Sequence, residues 1–157
     1  IKATEFLIQS NLIEDERTVE ALEDAHAAWE YALTLKEMGI VEVLAIHRRL
    51  MGRINPHIAG RIRHVPVRVG EWYAPNPASI YYLLRDWANK MSADLSAFKD
   101  VEGFCKDMHV EFEHIHPFED GNGRVGRILF NWHRVKNHLP IMVIYEKHKH
   151  KYYQWFK

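Results

Sequence analysis

The chain has 157 residues, with 21 basic and 21 acidic side chains, a formal net charge of +0, eleven histidines and one cysteine. That length fits one domain with a core of its own, and the balanced charge argues against a general nucleic-acid binder, which would normally be basic. No apolar run approaches the roughly 20 residues that span a bilayer, and a lone cysteine builds no disulfide framework.

Near the start, Ser10-Asn11-Leu12-Ile13-Glu14-Asp15 sets Ser10 and Glu14 on the same face of one helical turn. Taken alone, Glu14, Asp15 and Glu16 supply favourable negative charge near the start of the next helix. Val19, Leu22, Ala25, Trp29 and Leu33 mark a long amphipathic helix ending near Gly39, a candidate C-cap. Val41, Leu44, His47, Leu50, Met51 and Ile54 mark another, closed by Asn55-Pro56; His47 falls on its apolar side, as a core histidine rather than a ligand. From Gly60 to Gly70 the period changes, and the β-branched run predicts a short, irregular β-hairpin. Pro66 cannot donate to a ladder, so an edge stays open, and an open edge can add a strand from a partner. Tyr73-Ala74-Pro75-Asn76-Pro77 reads as a turn, with Pro77 starting a helix whose Ile80, Leu83, Leu84, Trp87 and Met91 face the core. The aromatic residues of this region are assigned to packing rather than to base stacking.

Phe98, Val101, Phe104, Cys105, Met108, Phe112 and Ile115 recur at the spacing of one buried helical face, which should end at His116. Cys105 on that face is a core thiol rather than a nucleophile. Val125, Ile128, Leu129, Trp132 and Val135 resume helical spacing from near Gly123, so the stretch between is helix, turn, helix. Beyond it, Asn137-His138-Leu139-Pro140 breaks the chain, Ile141 to Ile144 form a buried segment, and Lys147 to Lys151 make a solvated basic face.

Chemistry concentrates in His116-Pro117-Phe118-Glu119-Asp120-Gly121-Asn122-Gly123-Arg124-Val125-Gly126-Arg127. Asp120 to Gly123 can take positive φ angles and turn bare N–H groups toward a ligand, at the helix end whose dipole attracts negative charge. Arg124 and Arg127 sit one turn apart in the first turns of that helix, where a cation opposes the dipole by about 0.3–1 kcal/mol. Two such arginines beside a glycine-rich nest imply a bound anion, and their forked donors suit phosphate. Asp120 is the single carboxylate magnesium takes when phosphates complete its shell. His116 precedes a proline, which biases it toward extended geometry at the helix exit, and its imidazole suits general-base work near neutral pH. His109, His114 and His116 lack zinc-site spacing.

This stretch resembles the signature of the Fic family, His-Pro-Phe-x-(Asp/Glu)-Gly-Asn-Gly-Arg-x-x-Arg, and meets every fixed position from His116 to Arg127. The resemblance implies a mainly α fold, a Fic-type helical bundle of about six to eight helices with one short β-hairpin flap. It implies transfer of AMP from ATP to a Ser, Thr or Tyr hydroxyl of a target protein, with release of pyrophosphate. His116 would be the base, Phe118 the core anchor of the loop and Asp120 the magnesium ligand. Gly121, Asn122 and Gly123 would form the anion hole, and Arg124 and Arg127 would neutralise the phosphate tail. Ser10 and Glu14 then resemble the family's inhibitory motif, Ser/Thr-x-x-x-Glu followed by Gly or Asn, in which Glu14 would take Arg127 away from the γ-phosphate. Asp15 departs from the usual Gly or Asn. In the family's flap a target segment docks beside the active site; here Arg63, His64, Val65, Pro66, Val67, Arg68 and Val69 would be the contact strip.

The expectation is therefore a single Fic domain over 1–157, with an inhibitory segment at about 8–16, a flap at about 60–70 and the motif at 116–127. The chain begins at Ile1 and stops at Lys157, which leaves room for further sequence at either end. ATP with Mg2+ and a protein bearing a hydroxyl side chain are the expected partners, with a homodimer left open and no nucleic acid and no membrane expected. The expected compartment is cytoplasmic. Alternatives are another donor such as UTP, an ATP-sensing module without transfer, and removal of AMP from a modified target with Glu14 aligning water. A phosphorylating motif variant is disfavoured by the intact Gly121-Asn122-Gly123-Arg124.

Overall fold

Side-chain caps set three of the helix starts. Thr18 accepts the Ala21 N–H at 3.1 Å and opens α2 (Val19–Leu33). Asn76 accepts the Ala78 N–H at 3.0 Å and, with Pro77 in the first helical position, opens α4 (Pro77–Met91). Asp100 accepts the Gly103 N–H at 2.8 Å and opens α5 (Val101–Ile115). Each such cap satisfies a donor that the helix leaves orphaned. The computed structural model describes residues 1–157, and its remaining helices are α1 (Lys2–Ile13), α3 (Ile40–Met51), α6 (Asn122–Lys136) and the short α7 (Lys149–Tyr153).

Caps override periodicity at three expected boundaries. Gly39 does not close α2, which stops at Leu33; it is the N-cap of α3, its N–H bonded to Glu42 Oε1 at 3.0 Å. Phe98 continues the apolar spacing but lies ahead of the Asp100 cap, 42% exposed, and Ile54 lies past the end of α3, 44% exposed. The segment from Ile141 to Ile144 is half-buried rather than buried; its polar backbone is met by Asn131, whose amide bonds both Met142 N–H (2.8 Å) and Met142 C=O (3.0 Å).

The end of α1 explains the unusual residue after Glu14. Asp15 stands at φ 58°, Glu16 N–H reaches Asn11 C=O at 2.9 Å and Asp15 N–H reaches Leu12 C=O at 3.0 Å, the paired bonds of a Schellman turn. Glycine and asparagine adopt that left-handed geometry most easily, and aspartate is the next best. Asp15 therefore serves the turn that leaves Glu14 as the C-cap of α1.

The hairpin lies further along than its composition suggests. Strand β1 (Arg68–Val69) pairs antiparallel with β2 (Trp72–Tyr73), Arg68 opposite Tyr73 and Val69 opposite Trp72, so Gly70, at φ 59°, is in the turn and not at the end. Residues 61–67 run as an irregular leg, because Pro66 offers no donor and Arg63 is drawn down onto the end of α5.

Helix α2 packs on α3, α5 on α6 and α4 on α5, enclosing one core that includes Phe6, Trp29, Trp87, Phe112 and Phe118. Helix α1 lies against α2 and α6 and is tied at its start to the C-terminal segment: Tyr145 donates to the Glu5 carboxylate and Glu146 N–H to Gln9 Oε1 at 2.9 Å. No helix is long and apolar enough to cross a membrane.

Candidate active site

Helix α5 delivers His116 in a conformation that the following proline does not prefer. It is left-handed, φ 51° and ψ 62°, rather than extended, which costs about 1–3 kcal/mol for a residue with a side chain. Arg63 holds it there. Its Nε donates to His116 C=O at 2.7 Å, its Nη2 to Pro75 C=O at 2.7 Å and its Nη1 to Val65 C=O at 2.9 Å, while its own N–H meets Pro117 C=O at 2.9 Å. A cation over the carbonyl end of α5 is favourable. Arg63 is thus 2% exposed and structural, which removes it from the expected docking strip; His64, Val65, Pro66 and Arg68 are exposed, and Val67 and Val69 half-buried.

The His116 ring sets Nδ1 3.3 Å from Glu113 C=O, which places a proton on Nδ1 and leaves the Nε2 lone pair as the basic face. Burial holds this imidazole below its ordinary pKa, with the Glu113 carbonyl pulling back and the Arg63 charge adding to the depression. The ring is accordingly neutral and basic at neutral pH.

The loop after it is latched from inside. Asn122 accepts Phe118 N–H at 2.9 Å and donates to Phe118 C=O at 2.8 Å, so its side chain closes the turn and only its backbone remains for a ligand. Phe118 is fully buried and stacks on His47, centroids 3.8 Å apart. His47 accepts Gly60 N–H on Nδ1 at 2.9 Å and donates from Nε2 to Asp120 C=O at 2.8 Å, the satisfied core histidine its apolar position suggests. Gly121, at φ 89°, caps α6, and no side-chain cap hydrogen bond closes the start of that helix. A Cβ on Gly121 would stand 3.1 Å from Met51 Sδ and 3.2 Å from His47 Nε2.

All three arginines of α6 are buried, and two of them, Arg124 and Arg127, belong to the motif. Arg124 is 4% exposed, meets only Met51 Sδ (3.2 Å from Nη2) and leaves Nε and Nη1 without partners. Arg127 is 2% exposed and fully engaged: Nε to Ser10 Oγ at 2.7 Å, Nη2 to Ser10 C=O at 3.1 Å and to Glu14 Oε1 at 3.1 Å, and Nη1 to the Tyr152 hydroxyl at 3.3 Å. Glu14 Oε1 also lies 2.8 Å from where a Cβ on Gly123 would be. A carboxylate therefore rests on the first turn of α6, the place the dipole offers to an anion.

His116, Gly123, Arg127 and Glu14 line one cavity of about 240 Å³, with Val69 and Trp72 of the hairpin over it. Residues 37–133 match the Fic/DOC family, a span of more than half the chain. The chain belongs to the Fic/DOC family. It is 33% identical over 125 residues to "Protein adenylyltransferase Fic" of Culex quinquefasciatus and 35% identical over 128 residues to that of Aedes aegypti, matches that cover 80% of this chain and 24% of each relative. Among solved structures, Fic-1 of C. elegans superposes with a TM-score of 0.83 at 22% identity, covering 96% of this chain and 53% of that one. A Fic domain containing signaling protein of Bacteroides thetaiotaomicron gives 0.83 at 19% identity, covering 97% and 69%. These likenesses support the mainly helical Fic fold with its small hairpin.

The Fic domain also brings in residues that its sequence had not marked. Glu113, Tyr152, Tyr153 and Phe156 line the same cavity, and Trp72 joins from the hairpin. Glu113 was detectable as a carboxylate one turn before His116, adjoining the apolar face of α5; Tyr152-Tyr153 resembles the end of the family core, but that resemblance assigns the pair no place in the site. The Glu113 carboxyl is pushed up to about 8 by burial, Arg127 opposing and Glu14 reinforcing the rise, and its Oε1 has no partner. His109, whose Nδ1 has only the Gly126 backbone beside it and no partner within hydrogen-bond distance, is an inner neighbour of this cluster; no group of three metal-binding side chains occurs.

These buried groups predict a stability optimum in pH. Burial lowers His47 to about 4, His109 to about 3 and His133 to about 4. Between pH 4.5 and 6 the unfolded chain carries those three protons and the folded one does not, while folded Glu113 carries one the unfolded chain has lost. The net uptake of two on unfolding makes stability rise by about 2.7 kcal/mol per pH unit there. Above about pH 7 the unfolded histidines have lost most of their protons and Glu113 prevails, so stability falls by up to about 1.4 kcal/mol per unit toward pH 8. Urea midpoints across this range should peak near pH 7; a flat profile would contradict the neutral burial of these side chains.

Proposed function

We propose that this domain transfers AMP from ATP to a Ser, Thr or Tyr hydroxyl of a protein target and releases pyrophosphate. The observation that carries this reading is the neutral, Nε2-free imidazole of His116 and an uncapped, arginine-flanked helix start meeting around one cavity. The adenylyltransferase relatives support it. Removal of the target's hydroxyl proton by His116 Nε2 would let that oxygen attack the α-phosphorus in line, breaking the bond to the pyrophosphate. The N–H groups of Asn122 and Gly123 and the open donors of Arg124 would hold the negative charge that accumulates on the phosphate oxygens, joined by the Gly121 N–H once Asp120 Oδ1, 2.8 Å from it in the ligand-free loop, turns to the metal. Asp120, exposed at the lip of the loop, fits an ion that takes one carboxylate and completes its shell with phosphate oxygens and water. Magnesium bound there would shield the pyrophosphate charge.

Glu14 would restrain the reaction by holding Arg127 and covering Gly123, the ground a γ-phosphate needs. The free edges of the hairpin, with Val69 and Trp72 already over the cavity, would align a target segment by main-chain hydrogen bonds. A reducing cytoplasm suits the buried free thiol of Cys105.

The test incubates Glu14→Gly with Mg2+ and ATP labelled at either the α- or the γ-phosphate. Label entering protein from the α position alone supports adenylyl transfer. Label from the γ position alone would replace it with phosphorylation, and ATP binding without either label would leave a sensing module.

A further inference from the structure

Three of the four hydrogen bonds that hold Arg127 end on α1: those to Ser10 Oγ, to Ser10 C=O and to Glu14. They are lost together if α1 draws back to admit a phosphate. The fourth, from Nη1 to the Tyr152 hydroxyl at 3.3 Å, comes from α7 and does not depend on α1. We propose that Tyr152, fixed by His109, is the positioning residue that keeps Arg127 aimed into the cavity once Ser10 and Glu14 have let go. This rests on the adenylyl-transfer reading of the site and adds to it what makes Arg127 competent after release.

The donor directions close consistently. Arginine can only donate, so the Tyr152 oxygen accepts from it, and its O–H is free to donate to His109 Nε2, 2.7 Å away, when that nitrogen is the unprotonated one. That requires an uncharged His109 with its proton on Nδ1, and burial keeps it uncharged. The result is a one-way chain, Arg127 to Tyr152 to His109, in a dry interior where such chains reinforce one another.

The chain is also stiff. Tyr152 is 4% exposed and wedged against Trp155 and Phe156, ring centroids 5.2 and 5.1 Å away. His109 lies 5.1 Å from the Phe130 ring on α6. The hydroxyl therefore cannot follow a wandering guanidinium, and it marks one place for it. Glu113 is the other titratable group here; its carboxyl lies over Gly126, where any Cβ would collide with it, and it makes no hydrogen bond that would hold Arg127.

The experiment uses the Glu14→Gly protein, where the α1 carboxylate no longer masks the effect, and compares Tyr152→Phe with its parent by calorimetric titration. Phenylalanine keeps the packed ring and removes only the oxygen. The Kd for Mg-ATP should rise about tenfold, the worth of one hydrogen bond to a charged group. The Kd for AMP, which has no phosphate tail for Arg127 to meet, should be unchanged. In an Arg127→Ala background the Tyr152→Phe change should have no further effect on ATP. An unchanged ATP Kd, an equal loss for AMP, or a loss that persists without Arg127 would each overturn the proposal. Failure of Glu14→Gly to bind any nucleotide would overturn both this and the function above, whereas ATP binding without transfer of label would overturn only the latter.

Discussion

Replacing Glu14 with glycine should raise AMP transfer about ten- to a hundredfold. In the ligand-free protein the Glu14 carboxylate accepts from Arg127 at 3.1 Å and lies over Gly123, so on the proposed reading an incoming phosphate tail would have to displace it from both. A hydrogen bond between charged groups contributes about 1.5–3 kcal/mol, which sets the displacement penalty and hence that factor in rate. The upper end is discounted because the Glu14 side chain is 35% exposed and water screens the pair. The same change strips a buried guanidinium of its counter-ion, so the nucleotide-free variant should melt earlier than wild type and recover when ATP is added. Initial rates of labelling at saturating Mg-ATP measure the gain. A rate equal to wild type would mean that Glu14 is only a surface partner of Arg127.

Arg124→Met should separate folding from binding. Arg124 is 4% exposed, two of its three nitrogens have no partner, and it stands in the first turn of α6, where the dipole opposes a cation. No acidic side chain pairs with it in the ligand-free protein; even a buried ion pair replaced by apolar side chains of similar volume is often neutral or stabilising by about 1–4 kcal/mol, and an unpaired charge has less to lose. The melting temperature of the nucleotide-free protein should therefore hold or rise. ATP affinity should fall by about a hundredfold, because the unpartnered donors proposed to meet phosphate are gone. Thermal unfolding with and without Mg-ATP gives both numbers; a lower melting temperature with an undiminished ATP shift would show that Arg124 serves the fold instead.

Much of this site was legible because it is local. The stretch from His116 to Arg127 carries base, turn and cations in consecutive residues, and the spacing of Ser10 to Glu14 puts a hydroxyl and a carboxylate on one face; the structure brings both stretches onto Arg127. Arg63 was misplaced for a physical reason: its role is set by carbonyls of residues 115 to 117, distant in sequence, and an arginine in a β-rich strip looks the same whether it faces solvent or caps a helix. The hairpin slipped along the chain because β-branched residues mark extended backbone but not which part of it pairs, and Gly70 decides that through its turn. Tyr152 and Glu113 gain their roles only when α7 and α5 close around Arg127. Asp15 shows the opposite case, a departure from a family pattern that the backbone explains: its φ of 58° is all the turn asks of it.

The central claim is that His116 supplies the base for AMP transfer in a site that Glu14 restrains. The most direct test compares Glu14→Gly with Glu14→Gly/His116→Ala, each given Mg2+, ATP labelled at the α-phosphate and candidate protein acceptors including itself. Loss of a general base removes about 10²- to 10⁴-fold of rate. The account predicts strong labelling in the first protein and none above background in the second, with ATP bound equally by both. Equal labelling of the two, or none in either while ATP is bound, would contradict it.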